Sequence, residues 1–287
     1  MNVTATMVKE LRDMTGAGMM DAKKALVEVD GNMEKAMEVL RQKGIASAEK
    51  KMGRIAAEGR VEAYVNETCG AVIEVNCETD FVAKNDEFKE IATGLAEFVA
   101  TSNPADVEAL EASVCPETGK TIAEILKEKI SSIGEKITIR RFTRYEGNVS
   151  TYIHNGKIGV LLQTSAADAE IAKDVCLHIA SCAPEFISRN EIPASVIESE
   201  RAIEMGKEDL AKKPEEIRAK IVEGRVNKLM AQKCLLEQPF VKNPDITIEQ
   251  LISGKLDIVK FERLVLGEGL EKRSENFADE VMGQINK

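Results

Sequence analysis

The sequence predicts an α+β protein with a duplicated core, and three observations carry the prediction. The middle of the chain repeats itself, and the first 54 residues show helical periodicity cut by Gly-rich turns. Aromatic residues make up only 4% and Trp is absent, so the cores must be built from Ala, Ile, Leu, Val and Met, which favours helix packing. At 287 residues, 44% apolar and 31% charged, the chain is long enough for two or three domains with real cores.

Helical spacing marks Thr6–Asp13, Met19–Val29 and Met33–Arg41, separated by Thr15-Gly16-Ala17-Gly18 and Asp30-Gly31-Asn32, both turn or cap chemistry. Three short helices make a compact bundle. In the second, Ala22, Ala25, Leu26 and Val29 form the inward stripe with Met19 at its start, which leaves Met20 about 100° off it. Adjacent methionines at a Gly-rich helix start suit an adaptable contact surface. They equally suit a cap on the little core. Lys43–Arg54, rich in Ala, Gly and charge, reads as a linker, so the first module with its linker covers 1–54.

The repeat begins with Glu58–Val65, which resembles Glu146–Ile153. Each is followed by a turn and a second apolar strand, GAVIEV from Gly70 and GVLLQT from Gly159, then by helices. A third strand closes each copy, KITIRRFTRYEG from Lys136 and KFERLVLGEG from Lys260. Two such β-β-α…β units imply duplicated subdomains, each a small antiparallel sheet with helices on one face. They fall at 55–145 and at 146–192 with 237–270.

Residues 193–236 interrupt the second copy. Val196, Ile203 and Leu210 are heptad-spaced, Pro214 breaks the run, and Ile217, Ile221 and Leu229 resume it. This reads as an antiparallel helical hairpin of coiled-coil type, with a plain helical pair on the sheet as the alternative. The hairpin is a candidate surface for self-association.

The formal net charge of −10 argues against direct nucleic-acid binding, which needs a basic face. The local clusters Lys43, Lys50, Lys51, Arg54 and Arg140, Arg141, Arg144 read as solvated surface. No apolar stretch is long enough for a membrane span and no signal-peptide core is evident, so a cytoplasmic protein is expected. The six Cys form no C-x-x-C pair, and with His154 and His178 alone no zinc-type set arises from spacing. Cys176, His178 and Cys182 share one helical segment, where small core and surface positions are the plainer reading than a metal or thiol site. Phosphate-loop, dinucleotide, H-E-x-x-H and nucleophile-elbow motifs are all missing. A binding or regulatory protein without cofactor or covalent chemistry is therefore expected.

The stretch CETDFVAKNDEF, from Cys77, supplies the candidate binding element. AVIEVN before it alternates like a half-buried strand, and Glu87–Ala100 after it is an amphipathic helix carrying Phe88, Ile91, Leu95, Phe98 and Val99. Phe81 thus sits in a short connection, tucked under the loop or held out for a partner. Asp80 beside it could meet a partner or cap the following helix.

Four motifs taken together, MTGAGMMDAKKAL from Met14, EVNCETDFVAKNDEF from Glu74, KIVEGRVNKL from Lys220 and QPFVKNP from Gln238, make the chain resemble the bacterial elongation factor Ts family over essentially its whole length. The resemblance implies guanine-nucleotide exchange on the GTPase elongation factor Tu. It implies a ubiquitin-associated-like (UBA-like) N-terminal bundle that meets the GTPase domain through Arg12, Met19 and Met20. Thr79, Asp80, Phe81 and Val82 would dislodge the partner's magnesium ion. A C-terminal module at 271–287, helical from about Ser274 to Ile285, would reach the same domain. An adaptor for some other partner, and a cysteine- or metal-dependent enzyme around Cys176 and His178, are the competing readings.

Overall fold

The computed structural model describes residues 3–210 and 213–270, so the expected C-terminal helix lies outside the described residues. The chain divides into two compact units, Met1–Glu62 with Ile73–Phe142 and Val265–Lys287, and Ala63–Val72 with Thr143–Leu264.

Unit 1 opens with α1 (Ala5–Thr15), α2 (Met19–Glu28) and α3 (Met33–Lys51). The Thr4 hydroxyl caps α1 by accepting the Met7 N–H at 3.3 Å, and Gly16, at φ 67°, ends it by donating to the Arg12 carbonyl. Val8, Leu11, Ala22, Ala25, Leu26 and Ala36 form the buried centre of this bundle. The expected linker from Lys43 is instead the last part of α3, which runs on to Lys51. Gly44 lies within this helix, and a Cβ there would lie 2.9 Å from Ser131 Oγ. It is a close-approach residue between two helices, and Ala46, Ala48 and Lys50 around it favour the helix.

The first sheet has the order β1 (Glu58–Val65), β2 (Cys69–Cys77), β3 (Thr138–Glu146). Between β2 and β3 run α4 (Asp80–Lys84), α5 (Asp86–Ser102), α6 (Val107–Ala112) and α7 (Ile122–Ile133). Phe88, Ala92, Leu95, Ala96 and Val99 are the buried stripe of α5. The half-buried reading of AVIEVN does not hold: every residue of β2 is buried, including Glu74 and Asn76. Alternating polarity misleads here because this central strand is covered on both faces and its Glu74 carboxylate finds its partners inside the protein. Glu74 accepts from Arg140 Nη1 at 2.9 Å, Arg141 Nε at 2.7 Å and the Gly267 N–H at 2.8 Å. Arg140 and Arg141 are therefore partners of a buried carboxylate and not the solvated surface expected of them.

Unit 2 repeats the strand order with β4 (Asn148–His154), β5 (Ile158–Thr164) and, last in the chain, β8 (Ile258–Val265). β4 and β5 are antiparallel, in register from Asn148↔Thr164 to His154↔Ile158. Between β5 and β8 come α8 (Ala169–Cys182), α9 (Ala194–Met205), α10 (Glu215–Lys233), the short pair β6 (Pro239–Phe240) and β7 (Asn243–Thr247), and α11 (Ile248–Ile252). Val160, Leu162, Val175, Ile179, Leu235 and Phe240 lie in the main core of this unit.

The insertion is a pair of packed helices, α9 and α10, over a core of Ile192, Leu210, Val222, Val226, Met230 and Cys234. Val196, Ile221 and Leu229 pack against it as partly buried residues, but Ile203 and Ile217, expected on the same seam, are 58% and 50% exposed. The buried seam of α10 runs through Val222, Val226 and Met230, the last of these one residue on from Leu229 and the first one residue on from Ile221.

Candidate functional site

Phe81 is 82% exposed, the most exposed large apolar side chain among the described residues. It lies not in an irregular loop but in the first turn of α4. Thr79 caps this helix: its backbone is extended, φ −126° and ψ 155°, and its Oγ1 accepts the Val82 N–H at 3.3 Å. The cap position is thus not Asp80. Asp80 is the first helical residue, where a carboxylate suits the helix dipole, and it pairs with Lys84 at 2.6 Å. Val82 is half-buried, and Ala83 is buried beneath the helix.

A residue sequence reasoning missed holds this turn in place. Glu135 accepts the Glu78 N–H at 3.1 Å and the Thr79 N–H at 3.0 Å on Oε2, and the Thr79 hydroxyl at 2.6 Å on Oε1. The lacing is reciprocal, since the Glu78 carboxylate accepts the Lys136 N–H at 2.7 Å and pairs with Arg54 at 3.1 Å. The Cys77 thiol adds a contact to the Thr79 carbonyl at 3.2 Å. The exit of β2 and the entry of β3 are stitched together under Phe81. A 57-residue separation between Glu78 and Glu135 leaves no local signal for this.

Arg12, Met19 and Met20 share the N-terminal bundle. Met19 is 46% and Met20 62% exposed, so neither caps the core, which α2 fills with Ala22, Ala25 and Leu26. Met14 is exposed alongside them in sequence. The Arg12 guanidinium is half-exposed and pairs with Asp13 at 2.6 Å.

The cysteine and histidine cluster on α8 has structural work instead of chemical work. His178 is fully buried, within 2.8 Å of Gln238 Oε1 through Nε2, and its Nδ1 accepts the Val241 N–H at 3.2 Å. Those partners fix a neutral ring protonated at Nε2, and burial lowers the pKa while the Gln238 hydrogen bond opposes the shift. Burial pushes the Cys176 thiol up to about 12. It raises Cys77 to about 12 as well, with the Glu135 charge adding to the effect. A thiol held protonated is no nucleophile. No group of three or more His, Cys, Asp or Glu among the described residues is arranged to hold a metal ion.

What the geometry offers is a presented apolar side chain on an anchored turn. The comparisons with known proteins name the class. Residues 78–268 match the family described as Elongation factor TS. The chain is 46% identical to the Elongation factor Ts of Alkalilimnicola ehrlichii, over 99% of each chain. It is 47% identical to that of Burkholderia multivorans, over 99% of this chain and 97% of the relative, and 46% identical to that of Syntrophotalea carbinolica, over 98% of each. This is a translation elongation factor. The chain belongs to the elongation factor Ts family, as its four motifs implied.

Proposed function

We propose that this chain is a guanine-nucleotide exchange factor, without covalent chemistry, that binds elongation factor Tu in its GDP form and promotes release of GDP. The observation that carries the reading is Phe81, 82% exposed on a capped and clamped turn. An exposed Phe in such a setting suits insertion into an apolar crevice of a partner. Thr79, Asp80, Phe81 and Val82 form the element that disturbs the partner's magnesium and nucleotide site. Arg12, Met19 and Met20 form a second contact from the UBA-like bundle. The exposure of both methionines supports that role, because Met side chains adapt to a facing surface. On this reading the modules divide as 1–54, 55–145, 146–192 with 237–270, 193–236 and 271–287. The helical pair of residues 193–236 is a coiled-coil appendage, and the factor works in the cytoplasm. Among the described residues no helix is long and apolar enough to cross a membrane.

The test is stopped-flow release of fluorescent GDP from elongation factor Tu in millimolar magnesium. The native chain is expected to accelerate release strongly, and Phe81→Ala to reduce the acceleration by about ten- to a hundredfold, or about 1.4 to 3 kcal/mol. Binding without acceleration would replace the exchange reading with that of an adaptor.

A further inference from the structure

We propose that Glu135 is the positioning residue for Phe81, an inference that rests on the exchange reading for its functional consequence. Its carboxylate accepts three hydrogen bonds from one turn of chain: those of the Glu78 and Thr79 N–H groups on Oε2, and that of the Thr79 hydroxyl on Oε1. The third contact sets the direction of the cap. With its own proton committed to Glu135, the Thr79 oxygen turns a lone pair toward the Val82 N–H, which lies 3.3 Å away. The carboxylate therefore orients the cap, the cap starts α4, and α4 carries Phe81.

Two features make this more than ordinary packing. α4 has only five residues, too few to hold a helical conformation by itself, so its geometry depends on its ends. And the clamp comes from the residue directly after Gly134, which ends α7 in the left-handed conformation at φ 90°. A helix terminus and a strand entry fix Glu135, so a well-ordered element holds the probe at a point where its own sequence is too short to do so.

The side-chain chemistry distinguishes variants. Glu135→Ala removes both oxygens that accept these three hydrogen bonds, whereas Thr79→Ser keeps the hydroxyl relay and Thr79→Val deletes it at nearly constant volume. The experiment is GDP release from elongation factor Tu as a function of exchange-factor concentration, for the native chain, Glu135→Ala, Phe81→Ala and the double variant. Glu135→Ala is expected to lower the saturated rate about tenfold while the half-saturating concentration moves less than about twofold. The two Thr79 variants are compared by amide exchange alone, where Thr79→Val is expected to loosen α4 and Thr79→Ser to leave it protected. Because Glu135 acts through Phe81, adding Glu135→Ala to Phe81→Ala is expected to change nothing further.

Amide hydrogen exchange on the free protein gives a readout that needs no partner. Glu135→Ala is expected to speed exchange at Val82 and Ala83 while leaving the interior of α5 protected. An unchanged saturated rate in Glu135→Ala, or an equal loss in the Phe81→Ala background, overturns the proposal. So does unchanged protection of α4. A native chain that fails to accelerate release ends the exchange reading instead, and hydrogen exchange then decides the clamp by itself.

Discussion

Replacing Glu74 by Gln keeps the side-chain volume and removes one charge at a fully buried position. Glu74 is fully buried in β2, and its two oxygens face Arg140 Nη1, Arg141 Nε and the Gly267 N–H at 2.7–2.9 Å, with Asn76 Nδ2 at 3.3 Å. All of these are donors. A Gln amide satisfies them with one oxygen only, and whichever way it turns, its NH2 group meets another donor. Arg140 and Arg141 also lose the carboxylate they share. Breaking a buried ion pair from one side costs about 3 to 5 kcal/mol. The two guanidiniums remain 24% and 34% exposed and regain some hydration, which places Glu74→Gln at the lower end, about 3 kcal/mol.

Urea unfolding at pH 7, followed by far-UV circular dichroism, measures it. With a slope of about 2 kcal/mol/M the midpoint of the affected transition falls by about 1.5 M. The pH dependence is a second check. Burial alone would raise the Glu74 pKa, but the Gly267 N–H, Arg140 and Arg141 outweigh it and hold the carboxyl below its usual range. A depressed folded pKa contributes stability above the unfolded value, about 4.3, that is lost as pH falls through the folded value. The gap between native and variant is therefore expected to be full at pH 7 and to shrink on acidification below that range. A loss under about 1 kcal/mol at pH 7, or a gap that stays constant into strong acid, would mean that the Glu74 carboxylate does not hold Arg140 and Arg141 in this way.

Three further outcomes follow from the packing. Gly59 sits at φ 140° in β1 and a Cβ there would meet the Val75 carbonyl oxygen at 2.1 Å, so Gly59→Ala is expected to cost more than about 2 kcal/mol in urea unfolding. Leu26→Ala, at a fully buried position, is expected to destabilise the N-terminal bundle by about 2 to 5 kcal/mol, whereas Met20→Ala and Phe81→Ala stay within about 0.5 kcal/mol of native in the same assay. His178 is held neutral with a lowered pKa, so its contribution is complete above about pH 6.5 and declines as pH falls through the lowered value; His178→Gln is expected to flatten native stability against pH in that window.

Where a structural feature depends on nearby residues, the sequence was a good guide. Gly16 at φ 67° and Asp30 and Gly31 at φ 52° and 84° are the turn residues that separate α1, α2 and α3, and their chemistry is visible in a few letters. The duplicated strand order follows from the repeat, because two similar strings face the same packing problem. The misses share a cause. Lys43–Arg54 reads as a linker because the reason for Gly44 lies on another helix at Ser131, AVIEVN reads as half-buried because Arg140 and Arg141 lie 66 and 67 residues from Glu74, and nothing local marks Glu135. Each owes its meaning to a partner that only the fold brings near. In α10 the difference is one of phase, since Ile217, Ile221 and Leu229 step by fours like Val222, Val226 and Met230, but Ile221 and Leu229 lie one residue off the buried stripe.

An exposed Phe on a fixed turn also bounds how exchange is proposed to work. Burying Phe81 in a partner would remove about 150 to 250 Å² from water, with a return of about 2 to 3 kcal/mol. Nanomolar nucleotide binding is worth about 12 kcal/mol, so one inserted ring cannot expel GDP. The remainder must come from a broad interface whose binding energy is set against that of the nucleotide and its magnesium. By linkage, a factor that binds the empty GTPase more tightly weakens nucleotide by the same ratio, and nucleotide weakens the factor in return. On the proposed exchange reading, that reciprocity gives the clamp its purpose. A probe already ordered by Glu135 and Thr79 loses little conformational freedom on insertion, so more of its small contribution reaches the nucleotide site. Loosening the turn should therefore slow release without removing the contacts that hold the two proteins together.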